Sequence, residues 1–321
     1  MPARSDHDRA PVRALFIGGM GRSGTTILER TLDLHTDVTG LGEVVHLWER
    51  SLLKDELCGC GQPFSQCPFW VEVGDRAFGG WSRVDPLRVG SLRARIDRAS
   101  RAPRLALRLG GARWRAELDE YGSYYARLYR AAAEVADTTV VVDSSKQASL
   151  PWVLMHQPDV DLRVVHCVRD ARAVAYSWTR TVARPEARTS SDAEMQRYTP
   201  ARLSSSWTLH NLVVEGLRAR RVPIRRLRYE DWVQDPRAAT EELWRFAGLT
   251  PAPSGTGLGE SWVDLGVTHT CSGNPSRFAT GRVELRPDER WRRELPVPSH
   301  RLVTALTGPL LVGYGYLGGA R

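Results

Sequence analysis

A chain of 321 residues in which 42% of side chains are hydrophobic and 26% charged can bury a large core, and its ordinary composition excludes a fibrous, collagen-like or wholly disordered protein. Lysine and arginine outnumber aspartate and glutamate by 45 to 37, a net charge of +8 that favours an anionic partner; nucleic acid is disfavoured, because no basic stripe with interleaved aromatics appears. No apolar run is long enough to span a bilayer, the first dozen residues lack the apolar segment of a signal peptide, and five cysteines, an odd number, suit a reducing compartment, so the expected location is cytoplasmic.

Residues 1–12 read as a disordered leader, residues 13–310 as one α/β domain with a helical insertion over about 80–136, and residues 311–321 as a C-terminal tail. The domain opens on a continuous apolar run, Ala14-Leu15-Phe16-Ile17, of the kind buried in a parallel sheet. The run ends in Gly18-Gly19-Met20-Gly21-Arg22-Ser23-Gly24-Thr25-Thr26, after which Ile27, Leu28, Thr31 and Leu32 recur at helical spacing. Strand, glycine loop and helix N-terminus together make an anion site: the glycines let backbone N–H groups converge, and the helix end adds unpaired donors and partial positive charge. Gly19 and Gly24 have the spacing of a nucleotide-binding P-loop, but Thr25 stands where its lysine belongs and the loop's cation is Arg22. That departure weakens a Mg-ATP reading, whereas a planar guanidinium suits a sulfuryl or phosphoryl oxygen pair.

Arg22-Ser23-Gly24-Thr25-Thr26-Ile27-Leu28 resembles the 5′-phosphosulfate loop of sulfotransferases that use 3′-phosphoadenosine-5′-phosphosulfate (PAPS), in its arginine version. The resemblance implies a P-loop-like fold with a short central parallel sheet flanked by helices, PAPS as co-substrate bound by Gly21, Arg22, Ser23, Gly24, Thr25 and Thr26, and an acceptor hydroxyl as second substrate. The family chemistry requires no metal. A P-loop kinase-like phosphotransferase and a non-catalytic nucleotide-binding protein are the alternatives, and the oligomeric state is open.

Further along, turn-rich residues 35–43 lead into a helix expected from Val44 to Leu53. Glu43 lies just before it, and a carboxylate held beside a bound anion resists ionisation, which suits a general base. In the resembling sulfotransferases a Gly-Glu at this place supplies that base, so Glu43 is the first candidate and His35 and His46 are rivals. Cys58, Cys60 and Cys67 form a compact turn. Three thiolates suffice to begin a zinc site with His46 or Cys271 as the fourth ligand, but the one-residue gap between the first two is not the usual spacing, and the expectation is buried thiols with no metal.

From Val84 to Trp114 the chain is rich in arginine, a pattern that fits a solvated helix face first, and otherwise a lid for an acidic acceptor or a membrane-surface face; a second helix is expected from Tyr121 to Val135. An apolar run from Thr138 to Val142 ends in Asp143-Ser144-Ser145-Lys146, and polar residues at the carboxyl end of a parallel strand face the ligand crevice. Lys146 is the candidate donor to the transferring group or leaving phosphate. A third strand, Leu162 to Val168, ends in Arg169-Asp170, and Arg169 with Ser177 eight residues on resembles the family's 3′-phosphate motif. Arg172 is an extra candidate there. Residues 180–200 read as a gate, Ile224 to Asp231 as an edge-like strand leading into a helix, and Arg277 as a second 3′-phosphate ligand in a loop resembling the one that closes over the nucleotide.

Overall fold

The computed structural model describes residues 10–180, 198–252 and 255–318. The three apolar runs become neighbours at the centre of one five-stranded, all-parallel sheet, in the order β2-β3-β1-β4-β5. These strands are β1 (Val12–Gly18), β2 (Val38–Gly40), β3 (Val140–Asp143), β4 (Val160–Val168) and β5 (Ile224–Arg228). In β1, Leu15, Phe16 and Ile17 are at most 1% exposed, and in β3 Val140, Val141 and Val142 are fully buried, as strands covered on both faces must be.

The covering layers come from α1 (Thr25–Leu32), α2 (Pro68–Phe78), α3 (Pro86–Ile96), α4 (Ala102–Ala106), α5 (Ala112–Ala136), α6 (Leu150–Leu154), α7 (Ala171–Thr179), α8 (Pro200–Gly216), α9 (Tyr229–Gln234), α10 (Pro236–Phe246), α11 (Trp291–Glu294) and α12 (Val297–Gly313). One core joins β1, β3 and β4 to α5 and α6 through Phe16, Val141, Val164, Tyr129 and Trp152, and a second joins the opposite face to α1, α9 and α10 through Leu15, Val142, Leu28, Trp232 and Trp244. A small antiparallel pair, β6 (Trp262–Leu265) and β7 (Gly281–Glu284), lies outside the main sheet. Among the described residues no helix is long and apolar enough to cross a membrane.

Several expectations are corrected. The helix expected from Val44 to Leu53 is a 3-10 turn, Val44–His46, followed by a π-helical turn, Leu47–Ser51. The second insertion helix begins nine residues earlier than the aromatic pattern indicated, at Ala112. The C-terminal residues through 318 are not a loose tail: Leu311 and Tyr314 are buried against α7 and α8, and the Tyr316 hydroxyl donates to Val168 O at 3.2 Å and Glu230 Oε2 at 2.6 Å. Most of the expected leader (residues 1–9) and of the expected gate (181–197) lies outside the described residues.

Candidate active site

The carboxyl end of β1 turns into α1 through a loop whose backbone has room only for glycine at two points. Gly19 has φ +140°, and a Cβ there would lie 2.2 Å from Cys167 O; Gly24 has φ +77°, and a Cβ there would lie 2.4 Å from the Tyr229 ring. Close seating against β4 and α9 therefore fixes the loop's path. Arg22 also adopts a left-handed backbone, φ +72°, an uncommon conformation for a side chain other than glycine. Cys167 Sγ contacts Ser23 O at 3.4 Å, Trp178 Nε1 donates to Gly21 O at 3.0 Å, and Arg169 Nη1 donates to Arg22 O at 2.9 Å. Arg169 at the end of β4 and Trp178 on α7 thus reach the loop backbone.

What the loop holds is unmatched polarity. Arg22 Nε and Nη2, Ser23 Oγ and Arg169 Nε are buried and have no hydrogen-bond partner among the described residues. Buried polar atoms are nearly always paired, so four in one place call for a ligand that accepts hydrogen bonds and carries negative charge. Desolvation, and then the neighbouring charge of Arg180, disfavour the charged form of Arg22, an electrostatic cost that an anion would relieve. Thr25 and Thr26, the first residues of α1, are buried, and Gly21 is half-buried. The Arg169 guanidinium also lies 4.5 Å from the centroid of Tyr229, and Ser177 is half-buried next to Trp178 in the last turn of α7.

Glu43 and Lys146 meet as the sequence could not show. Gly42 takes φ +82°, where a Cβ would lie 2.2 Å from Cys271 O, and this turn delivers Glu43 to Lys146, itself at φ +59°. Lys146 Nζ donates to Glu43 Oε1 at 2.5 Å, with both side chains about one-eighth exposed. His46 Nε2 lies 3.7 Å from Glu43 Oε2. The other rival, His35, is buried and engaged with Thr250 O at 2.9 Å. Asp143 does not orient Lys146; it accepts from Tyr129 Oη and from the Ser145 N–H at 2.7 Å, and burial pushes its pKa up to about 6.

Glu29 escaped the sequence reading. Its Oε1 accepts from the Gly42 N–H at 2.5 Å and its Oε2 from Ser144 Oγ at 2.6 Å, so one buried carboxylate on α1 ties together the turns that present Glu43 and Lys146. Burial raises its pKa to about 8. The only signal was an acidic residue one helical turn after Thr25, on the face that α1 buries.

Two arginine candidates fall away from the site. The Arg277 guanidinium is 1% exposed and donates to Thr270 O at 3.0 Å and Leu57 O at 2.8 Å, so its donors serve chain carbonyls rather than a 3′-phosphate. Arg172 closes a buried pair with Asp170 at 2.6 Å. The cysteine turn is also corrected: the side chain that joins Cys58, Cys60 and Cys67 is His269, whereas His46 faces Glu43 and Cys271 lies in the core.

Residues 13–278 match the family described as Sulfotransferase domain. The chain is 28% identical over 178 residues to carbohydrate sulfotransferase 3 of Mus musculus, covering 51% of this chain and 35% of that protein. It is 30% identical over 183 residues to carbohydrate sulfotransferase 5 of Mus musculus, covering 51% and 44%. The matched stretch therefore spans less than half the length of these relatives. Among solved structures, the sulfotransferase domain from the Synechococcus PCC 7002 olefin synthase aligns with a TM-score of 0.46 at 21% identity, covering 94% of this chain and 97% of that one.

Proposed function

The chain belongs to the sulfotransferase domain family, and from that membership we propose that it moves a sulfuryl group from PAPS, the donor the family implies, to an acceptor hydroxyl. The observation that carries this reading is the buried, unpartnered polar lining formed by Arg22, Ser23 and Arg169 around a glycine loop at a helix N-terminus.

Bound PAPS supplies an activated sulfuryl group: the acceptor oxygen forms a new bond to sulfur while the bond from sulfur to the 5′-phosphate oxygen breaks, and its electron pair leaves on the phosphate. The chain's residues do the rest. Arg22, Ser23, Thr25, Thr26 and the amides of Gly21 and Gly24 hold the phosphosulfate and neutralise charge that builds on the leaving phosphate. Arg169 and Ser177 are assigned to the 3′-phosphate, with Arg277 withdrawn from that set. Glu43 takes the acceptor proton. Lys146 occupies its Oε1, which fixes the carboxylate and leaves Oε2 for the proton. Lys146 also places a cation next to the base, where the transferring group arrives.

The acceptor's place is a cavity of about 480 Å³ lined by Val45, Trp48, Leu87, Arg93, Asp97 and Gln147. It begins two residues after Glu43 and one after Lys146. Its mixed wall, with Arg93, Asp97 and Gln147 among apolar neighbours, suits a hydroxyl-rich acceptor such as a glycan, in keeping with the carbohydrate named for the relatives.

The test is transfer of radiolabelled sulfuryl from PAPS into extracts of the producing cell, by the wild type and by Glu43→Gln. The glutamine variant should lose roughly 10²–10⁴ in turnover while its affinity for 3′-phosphoadenosine-5′-phosphate stays within about twofold. Undiminished turnover would remove Glu43 as the base, and a wild type that binds the nucleotide yet labels nothing would overturn the enzymatic reading.

A further inference from the structure

Cys58, Cys60, Cys67 and His269 come from segments some two hundred residues apart, yet their ligand atoms all lie within 4.8 Å of one another. Cys58 and Cys67 are fully buried, and Cys60 and His269 half-buried. The spacings have a definite meaning. With zinc–sulfur bonds of about 2.3 Å and tetrahedral angles, two sulfur ligands stand about 3.8 Å apart, and a sulfur and an imidazole nitrogen about 3.6 Å apart. Cys60 Sγ and Cys67 Sγ are 3.8 Å apart, while His269 Nδ1 is 3.2 Å from Cys67 Sγ and 3.8 Å from Cys58 Sγ. A disulfide would bring two sulfurs to about 2.0 Å.

The surroundings are those of a built ligand set. The turn is closed by Cys58 N–H to Gln62 O and Gly61 N–H to Cys58 O, each 2.8 Å, with Gly61 at φ +85°. His269 is held from both sides: the Phe69 ring stacks on its imidazole with centroids 5.1 Å apart, and Trp70 Nε1 donates to its carbonyl at 2.7 Å.

We propose that Cys58, Cys60, Cys67 and His269 bind one structural zinc ion. Four protein ligands close the tetrahedron and leave no position for a substrate, so the ion serves architecture rather than the transfer itself. Its place explains what it would secure. Gly59 N–H donates to Thr270 O, Cys271 N–H to Leu41 O, and Glu43 N–H to Cys271 O, each at 2.9 Å. Gly273, at the end of the same segment, comes close enough that a Cβ would lie 3.2 Å from Glu43 Oε1. The ion therefore fastens the 269–273 segment, which in turn positions the Glu43 turn.

The experiment is independent of the donor and the acceptor, so its outcome separates from that of the sulfotransferase reading. Full-length protein purified under reducing conditions should carry about one zinc per chain by plasma mass spectrometry, and Cys60→Ser/His269→Ala less than about a tenth of that. Wild-type protein stripped by a chelator should take up cobalt with thiolate-to-metal charge-transfer absorption and the intense d–d bands of a tetrahedral ion, a measurement that stands even if the double variant misfolds. Folded wild-type protein that takes up neither zinc nor cobalt overturns the proposal, as does a Cys60–Cys67 disulfide found by mass spectrometry in protein kept under reductant.

Discussion

Two populations of arginine divide this molecule, and the contrast between them says more about function than the net charge does. In the insertion, Arg88 pairs with Glu120 at 2.5 Å, Arg95 with Glu117 at 3.0 Å, Arg108 with Asp119 at 2.7 Å and Arg113 with Glu117 at 3.3 Å. The arginines of these pairs are one-third or more exposed, and each acid comes from α5, so part of the run that looked unbalanced in sequence is compensated by acids it does not itself contain. At the glycine loop Arg22 and Arg169 are buried more deeply, and neither has an acidic partner within ion-pair reach among the described residues. A positive charge in excess marks a surface. Two buried guanidiniums whose unpaired donors converge on one glycine loop mark a candidate site.

The sharpest way to break that contrast is to truncate the two arginines at the glycine loop. If Arg22 neutralises the leaving phosphate as proposed, Arg22→Ala should lower kcat/KM by about a thousandfold, roughly 4 kcal/mol of transition-state stabilisation. Arg169→Ala should act mainly on binding, shrinking the preference for 3′-phosphoadenosine-5′-phosphate over adenosine 5′-phosphate by about tenfold or more in calorimetry. Wild-type protein that binds the two nucleotides equally would show that Arg169 faces no 3′-phosphate at all.

The sequence exposed the part of this architecture that is local. Ala14 to Ile17 and Val140 to Val142 announce buried parallel strands by continuous apolarity, Leu162 to Val168 does so despite Arg163 and His166, and the glycines after β1 announce the loop because its backbone conformation depends on what is absent from each residue. Non-local features stayed hidden. β2 is three residues long and sits inside a turn-rich passage, so no periodicity could reveal it. His269 joins the cysteines only through the chain's return past Leu41, and Arg277 reads as a phosphate ligand until Leu57, 220 residues away, supplies its acceptor. Partner identity, for a buried polar group, is a tertiary property.

A smaller effect tests how firmly the site's two halves are joined. Glu29→Ala leaves the Gly42 N–H and Ser144 Oγ without their acceptor and should cost about 1–3 kcal/mol in denaturant unfolding. Glu29→Gln probes the charge instead. The Glu29 pKa is raised from 4.5 to about 8 by burial, so the folded state holds a proton that the unfolded state releases. The stability linked to that proton is fully present below about 4.5 and is lost as pH rises toward about 8. Asp33, pushed up to about 7, and Asp143, to about 6, add to the same downward slope. The glutamine variant should therefore show a shallower decline across this window, and an unchanged slope would mean that Glu29 is already ionised in the folded protein.

The smallest effect belongs to the paired arginines. Arg108 makes two hydrogen bonds to Asp119, at 2.8 and 2.7 Å, but both side chains are at least one-third exposed, where water competes for the same groups and salt screens the attraction. A double-mutant cycle of Arg108→Ala and Asp119→Ala should return a coupling of about 0.2–1 kcal/mol, falling with added salt, and neither single variant should move nucleotide affinity by more than about twofold. A loss of nucleotide binding in Arg108→Ala comparable to that in Arg22→Ala would erase the distinction between the two populations, since a neutralised surface cation would then be acting as a ligand.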